Sequence, residues 1–251
     1  MKLTSPKITI VTPVLNGEKY IEKTILSVIN QDYKNIEYII VDGQSTDNTI
    51  SIIKKYKENI KIFISEKDKG MYDALLKGFK LGTGKYFAWI NSDDYYLTGA
   101  IKKAINFMEV NKLQWIVGRS NVLSRKNKIY SNLYHYPKFI IKNKLAAPCT
   151  WGYIPQESTI FTKKLYFKST GIDSKFKYAG DFDLWVKFSK YSNLFSTNIN
   201  IAVFRKRIGQ LSLQNKSYLN EINKINCLFP FGKILRYIYS KIITLKKINE
   251  I

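Results

Sequence analysis

Two rhythms alternate along the first hundred residues: short runs of β-branched and aromatic residues, and segments whose apolar positions recur every three or four residues. The runs at 8–12, 38–41, 61–65 and 86–90 are expected strands. Between them, Ile21, Ile25, Val28 and Ile29 share one face of a helix expected from about residue 18. Ile50 and Ile53 mark a second helix, which Ser45 or Thr46 can cap, and 71–80 reads as a third that Gly82 and Gly84 close. Strands alternating with helices of this length specify a parallel sheet with crossover helices. A helix over 101–108 and a strand over 115–123 continue the domain, and 124–150 is basic and irregular.

Ligands of an open parallel sheet bind beyond the carboxyl ends of its strands. Here those ends carry Thr12, followed by Pro13, then Asp42 and the pair Asp93-Asp94. Two carboxylates side by side at a strand end repel each other unless a cation or hydrogen-bond donors compensate. A hard divalent cation that shares its shell with phosphate oxygens is one answer, and a capping turn is the other. A second acidic motif, Asp181-Phe-Asp183-Leu-Trp185, opens a helical pattern; there the dipole favours ionised carboxylates, and Asp181 is a candidate general base. Gly78-Phe-Lys-Leu-Gly82-Thr-Gly84-Lys85 has the wrong spacing for a phosphate loop and leads into a strand, so a kinase or ATPase reading fails.

Composition narrows the chemistry further. The 251 residues are 45% hydrophobic and 24% charged, sufficient for one large domain or two joined halves with a core of their own. Two cysteines allow no disulfide framework or thiolate zinc site, and the single histidine, His135, leaves no room for a histidine-rich metal centre. Met1 to Ile10 lacks a signal-peptide pattern, and no run of about 18 apolar residues is present, so a cytoplasmic location is expected. The net charge of +22 is unevenly spread: 14 bases face 12 acids over 1–100, but 27 face 7 over 101–251. The second half is therefore expected to meet an anionic surface or a phosphate-bearing substrate.

Six motifs stand in order: Ile10-Val-Thr-Pro-Val-Leu-Asn16, Val41-Asp-Gly-Gln-Ser-Thr-Asp47, Asp68-Lys-Gly-Met-Tyr-Asp73, Asn91-Ser-Asp-Asp94, Gln156 in Pro155-Gln-Glu157, and Asp181-Phe-Asp-Leu-Trp185. Together they resemble the family 2 glycosyltransferases over about residues 6–212. The resemblance implies an α/β chain of GT-A fold: a Rossmann-like, mostly parallel central sheet flanked by helices, with a nucleotide-binding half (1–100) and an acceptor half (101–212). It also implies inverting transfer of a sugar from a nucleotide donor, such as a UDP-sugar, with Mn²⁺ or Mg²⁺. Thr12, Pro13, Asn16, Asp42, Ser45, Lys69, Asp73, Asn91 and Asp94 are then nucleotide contacts. Asp93 holds the metal with Asp94 assisting, because Asn91 replaces the first acid of the family's Asp-x-Asp motif. Asp181 is the general base, and Gln156, Trp151, Asp183 and Trp185 lie near the acceptor or donor sugar. Gly209-Gln-Leu-Ser212 looks like a degenerate late Gly-Gly-x-Ser element.

The expected acceptor is a glycan or lipid-linked hydroxyl in bacterial surface polysaccharide assembly. A nucleotidyltransferase would share the metal and nucleotide but release pyrophosphate. A nucleic-acid-binding module would meet repulsion from Asp42, Asp73, Asp93 and Asp94. The remaining segment, 213–251, is expected to be a basic amphipathic tail. On a helical wheel Ile234, Leu235, Ile238, Ile242 and Leu245 form a stripe beside Lys233, Arg236, Lys241 and Lys247, as in a helix lying on an anionic membrane at its cytoplasmic face.

Overall fold

The computed structural model describes residues 5–143, 145–146, 152–207, 210 and 215–225. Strands β1 (Ile8–Val14), β2 (Ile36–Asp42), β3 (Ile62–Ser65) and β4 (Tyr86–Trp89) pair in parallel, with β1 central between β2 and β4. Their side chains alternate between two apolar cores. Val11, Ile39 and Val41 enter one, whereas Ile8, Ile10, Tyr38 and Ile40 enter the other, so these strands read as unbroken hydrophobic runs. Pro13 does not end β1, because pairing continues through Pro13↔Val41 to Val14↔Asp42.

Helix α1 (Ile21–Ile29) begins after a turn at Gly17, later than residue 18. Neither Ser45 nor Thr46 caps α2 (Thr49–Lys54); Asp47 does this locally, accepting from the Thr49 amide and hydroxyl. Helix α3 (Met71–Leu81) stops at Gly82 as expected and lies close on β1. At Gly78 an added Cβ would fall 2.5 Å from a Val11 methyl carbon, so only glycine lets the helix approach this closely.

The expected strand over 115–123 is two strands in two sheets. After β5 (Tyr95–Tyr96) and α4 (Ala100–Val110), β6 (Trp115–Val117) stays in the main sheet, and β7 (Ser120–Leu123) joins a second one. The break falls at Gly118, whose amide donates to Ser158 and where a side chain would strike the Ile199 carbonyl. The irregular stretch contains β8 (Ile129–Asn132), a hairpin partner of β7, and α5 (Lys138–Lys142). A 3-10 turn at Gln156–Ser158 leads into β9 (Thr159–Thr162), which enters the main sheet antiparallel between β4 and β6. Helices α6 (Lys163–Lys168) and α7 (Gly180–Ser189), then β10 (Phe195–Ser196) and β11 (Ala202–Arg205), complete sheets of order β10-β6-β9-β4-β1-β2-β3 and β5-β11-β7-β8.

The described part of the expected tail is helix α8 (Asn215–Lys224). It does not stand apart from the domain: Tyr218, Ile222 and Ile225 are buried in the same core as α3 and α7. The stripe from Ile234 to Leu245 lies outside the described residues. None of the helices among the described residues is long and apolar enough to cross a membrane.

Candidate active site

At the carboxyl ends of β1 and β2, two loops are laced together by short polar side chains. Asp42 is fully buried, and its carboxylate accepts from the Gln44 and Ser45 amides and from the Ser45 and Ser65 hydroxyls. Asn16, in the left-handed region at φ 49°, donates its amide to the Ser45 hydroxyl, and its side-chain oxygen accepts from the Thr46 amide. Thr12 is buried against the Tyr38 hydroxyl at 3.0 Å. At the start of α3, Asp73 accepts from the Lys69 amide and pairs with Lys77 at 3.3 Å. Burial opposes its ionisation, but the Lys69 amide and Lys77 outweigh it and lower the Asp73 pKa. The Lys69 side chain is exposed. Gly43 leaves space for Asp68, whose carboxylate would lie 2.7 Å from a Cβ at that position.

The next strand end differs. Asp93 is buried, its Oδ2 2.5 Å from the Arg207 guanidinium and 3.3 Å from the Gln210 amide nitrogen. Asp94 turns into the body of the protein: its Oδ1 accepts from the Arg205 amide and its backbone carbonyl from Thr24, and it is 1% exposed. Burial, with the charges of Asp93 and Glu157, drives its pKa well above the usual carboxylate range. Asp94 therefore latches β11 to the strand end through the Arg205 amide.

Polar atoms without partners gather beside this pair. The Asn91 side-chain oxygen, both side-chain polar atoms of Gln156, Glu157 Oε1 and the Ser158 hydroxyl are buried and accept or donate nothing among the described residues. Buried polar groups in this state point to water or a ligand supplying the missing bonds. Glu157 is 3% exposed, and burial, reinforced by the charge of Asp181, raises its pKa to about 7.

Asp181 stands in the first turn of α7. Three donors converge on its Oδ1: the Phe182 amide at 2.8 Å, the Tyr72 hydroxyl at 3.1 Å and the Tyr218 hydroxyl at 3.4 Å. Among the described residues Oδ2 accepts no hydrogen bond. The residue is partly accessible, yet its surroundings are dense enough for burial to raise the carboxyl pKa to about 6, against the lowering effect of those donors. Asp183, two positions on, belongs to another face of the helix. It pairs with Lys187 at 2.7 Å, and Lys187 also donates to the Gly171 carbonyl.

Trp185 requires a correction. It is 1% exposed and stacked between Trp89 and Trp115 at centroid distances of 5.5 and 5.7 Å, so it fills the core and meets no sugar. Trp151 lies outside the described residues, as do Gly209, Leu211 and Ser212. Missed by sequence reasoning were Glu157, Arg207, Tyr72, Tyr218 and Glu221. Each gains its place only through contacts more than 20 residues away, and no local spacing marks them.

The oxygen donors at the β4 end suit a hard cation. Asp93 supplies one carboxylate and Asn91 a buried, unpartnered amide oxygen, and a cation shared with a diphosphate needs only one or two protein carboxylates. No group of three or more His, Cys, Asp or Glu that could form a full protein cage is present among the described residues.

The chain is similar to several known proteins. A glycosyltransferase of Rickettsia typhi is 29% identical over 238 residues, covering 90% of this chain and 71% of its own length. The chain spans 61% of a second rickettsial relative and 33% of a third. The UDP-Glc:α-D-GlcNAc-diphosphoundecaprenol β-1,3-glucosyltransferase WfaP of Escherichia coli is 31% identical over 244 residues, 90% of this chain and 92% of the relative. Among solved structures, S. aureus TarS 1–349 in complex with UDP-GlcNAc superposes with a TM-score of 0.67 at 19% identity, covering 83% of this chain and 61% of TarS 1–349. The mannosyltransferase PcManGT of Pyrobaculum calidifontis, in complex with GDP-Man and Mn²⁺, gives 0.66 at 17%, with 95% and 70% covered. These likenesses establish the GT-A fold. The pattern described as Glycosyl transferase family 2 matches residues 9–169, and the chain belongs to that family.

Proposed function

We propose that this protein is an inverting glycosyltransferase that moves a sugar from a UDP-sugar to a hydroxyl of a lipid-linked glycan in surface polysaccharide assembly, at the cytoplasmic face of the membrane. The observation that carries the reading is the Asp181 carboxylate: Oδ1 faces three donors, Oδ2 accepts no hydrogen bond among the described residues, and burial raises the pKa to about 6. A base with that pKa is ionised at neutral pH yet basic enough to take a proton during attack. Oδ2 receives the acceptor proton as the hydroxyl oxygen attacks the anomeric carbon opposite the leaving diphosphate, which inverts the configuration.

On the donor side, the laced loops around Asp42, Ser45 and Asn16 form the floor for the nucleotide, with Thr12, Pro13, Asp73 and Lys69 at its edge. Asp93 and Asn91 would hold Mn²⁺ or Mg²⁺. When bound, the cation neutralises charge developing on the departing diphosphate. Arg207, paired with Asp93, brings a guanidinium to the same strand end. Gln156 offers its unpartnered amide to sugar hydroxyls. The similarity to WfaP supports a diphospholipid-linked acceptor, and the basic second half supports an anionic membrane surface.

The test supplies UDP-glucose, Mn²⁺ and a GlcNAc-diphospholipid. Release of UDP with a β-linked product seen by NMR is the expected result; no UDP release here, with pyrophosphate released in a second assay from UTP and glucose 1-phosphate, would instead identify a nucleotidyltransferase. In calorimetry of UDP with and without Mn²⁺, Asp93→Asn should abolish the metal-dependent gain in affinity. An unchanged gain would remove Asp93 from the metal site.

A further inference from the structure

Helix α8 touches the candidate base from outside the sequence motifs. Its Glu221 reaches the amino end of α7, where Oε1 accepts the Lys177 amide at 2.9 Å and Oε2 accepts the Tyr178 and Ala179 amides, each at 2.8 Å. α7 has no side-chain cap of its own; Glu221, from another helix, takes up the amide of its N-cap residue Ala179 and those of the two loop residues before it. One turn earlier on α8, Tyr218 is 7% exposed, packs edge-on against Tyr153 at 5.1 Å and aims its hydroxyl at Asp181 Oδ1. The other hydroxyl at that oxygen, from Tyr72, has one proton and two acceptors, Asp181 Oδ1 at 3.1 Å and the Tyr178 carbonyl at 3.0 Å. Tyr218 has no such competing acceptor among the described residues, and it secures the oxygen when the Tyr72 proton turns to the backbone.

We infer that α8 is a positioning element for the reaction: Glu221 fixes residues 177–179 where the chain enters α7, and Tyr218 holds Asp181 Oδ1 so that Oδ2 faces the acceptor. This inference rests on the proposed role of Asp181 as base. The titratable groups facing Asp181 are Tyr72 from α3, Tyr218 and Glu221 from α8, and Glu157 from the 3-10 turn; Tyr153 faces Tyr218. Donors to a carboxylate stabilise its ionised form, so removing one makes Asp181 harder to ionise.

The full chain with ¹³C-labelled aspartate carboxyls reports this directly, the Asp181 resonance being assigned by its loss in Asp181→Asn. Tyr218→Phe keeps the ring and removes the hydroxyl. Its Asp181 midpoint should move upward from about 6, and Glu221→Ala should move it the same way by loosening the turn that presents the Phe182 amide. With UDP-glucose and Mn²⁺ as probe, hydrolysis to UDP and glucose should slow about fivefold at pH 6 in Tyr218→Phe, the deficit closing above pH 8. A role confined to packing would lower the rate equally at every pH. If Tyr218→Phe does not fold, Asp181→Asn reads the contact from the other side, because loss of the carboxylate charge should lower the Tyr218 phenol pKa. An unmoved Asp181 midpoint, or an unmoved Tyr218 phenol in that second case, overturns the inference. Full turnover in Asp181→Asn would instead overturn the base assignment.

Discussion

The two sides of the crevice handle buried polarity in opposite ways. On the nucleotide side the Asp42 carboxylate takes four donors, and Asn16, Ser45, Thr46, Asp47 and Thr49 satisfy one another without outside help. On the side built by β4, the Gln156–Ser158 turn and α7, the carboxyls of Asp94, Glu157 and Asp181 sit where burial raises their pKa values, and several polar atoms lack partners among the described residues. The first is a finished scaffold whose shape precedes its ligand. The second is held in a costly state, and on the proposed reading its missing bonds are those a sugar and its diphosphate would complete.

The sharpest way to break this contrast is to remove the reactive carboxylate. Asp181→Asn should lower turnover by about 10²-fold or more while leaving UDP affinity unchanged in calorimetry. Near-normal turnover would transfer the proton to another group and dissolve the distinction. On the scaffold side, Asp42→Ala strands two amides and two hydroxyls, and urea titration should show a loss of about 3 kcal/mol.

Glu157→Gln sharpens the comparison in the opposite direction. The folded pKa of Glu157, about 7, lies above its ordinary value of 4.5, so its favourable contribution is complete below pH 4.5 and is lost as the pH rises through 7. The neutral amide removes that loss. The variant should therefore be more stable than the parent at pH 8 by on the order of 2 kcal/mol and nearly equal at pH 4.5, as thermal melts at the two pH values will show. Smallest is Trp185→Phe: a cost of about 1–2 kcal/mol in stability with KM for the donor unchanged, since the ring fills core and touches no ligand.

Residues whose environment is local were legible in the sequence, and those whose environment is assembled from afar were not. The four parallel strands and α3 follow from runs and periods a few residues long. Asp181 was legible because an acid at a helix start before Leu184 and Phe188 is a local pattern. Trp185 was misread for the same reason: its place in the motif is local, but its burial depends on Trp89 and Trp115 from two separate strands. The split of 115–123 into two sheets turns on one glycine meeting a carbonyl 81 residues later. Glu157 carries no mark at all, since its proton affinity comes from burial and from Asp181, 24 residues on.

Glu221 and Tyr218 also bear on the order in which the protein is made. The ribosome releases β1 through α7 first, which carry most of the main sheet; β10 adds its last strand, and β11 and α8 their share of the two cores, afterwards. The amino end of α7 nevertheless lacks its acceptor until residue 221 has left the exit tunnel. On the proposed reading, a nascent chain ending near residue 212 would have its donor floor in place before its proton acceptor is set.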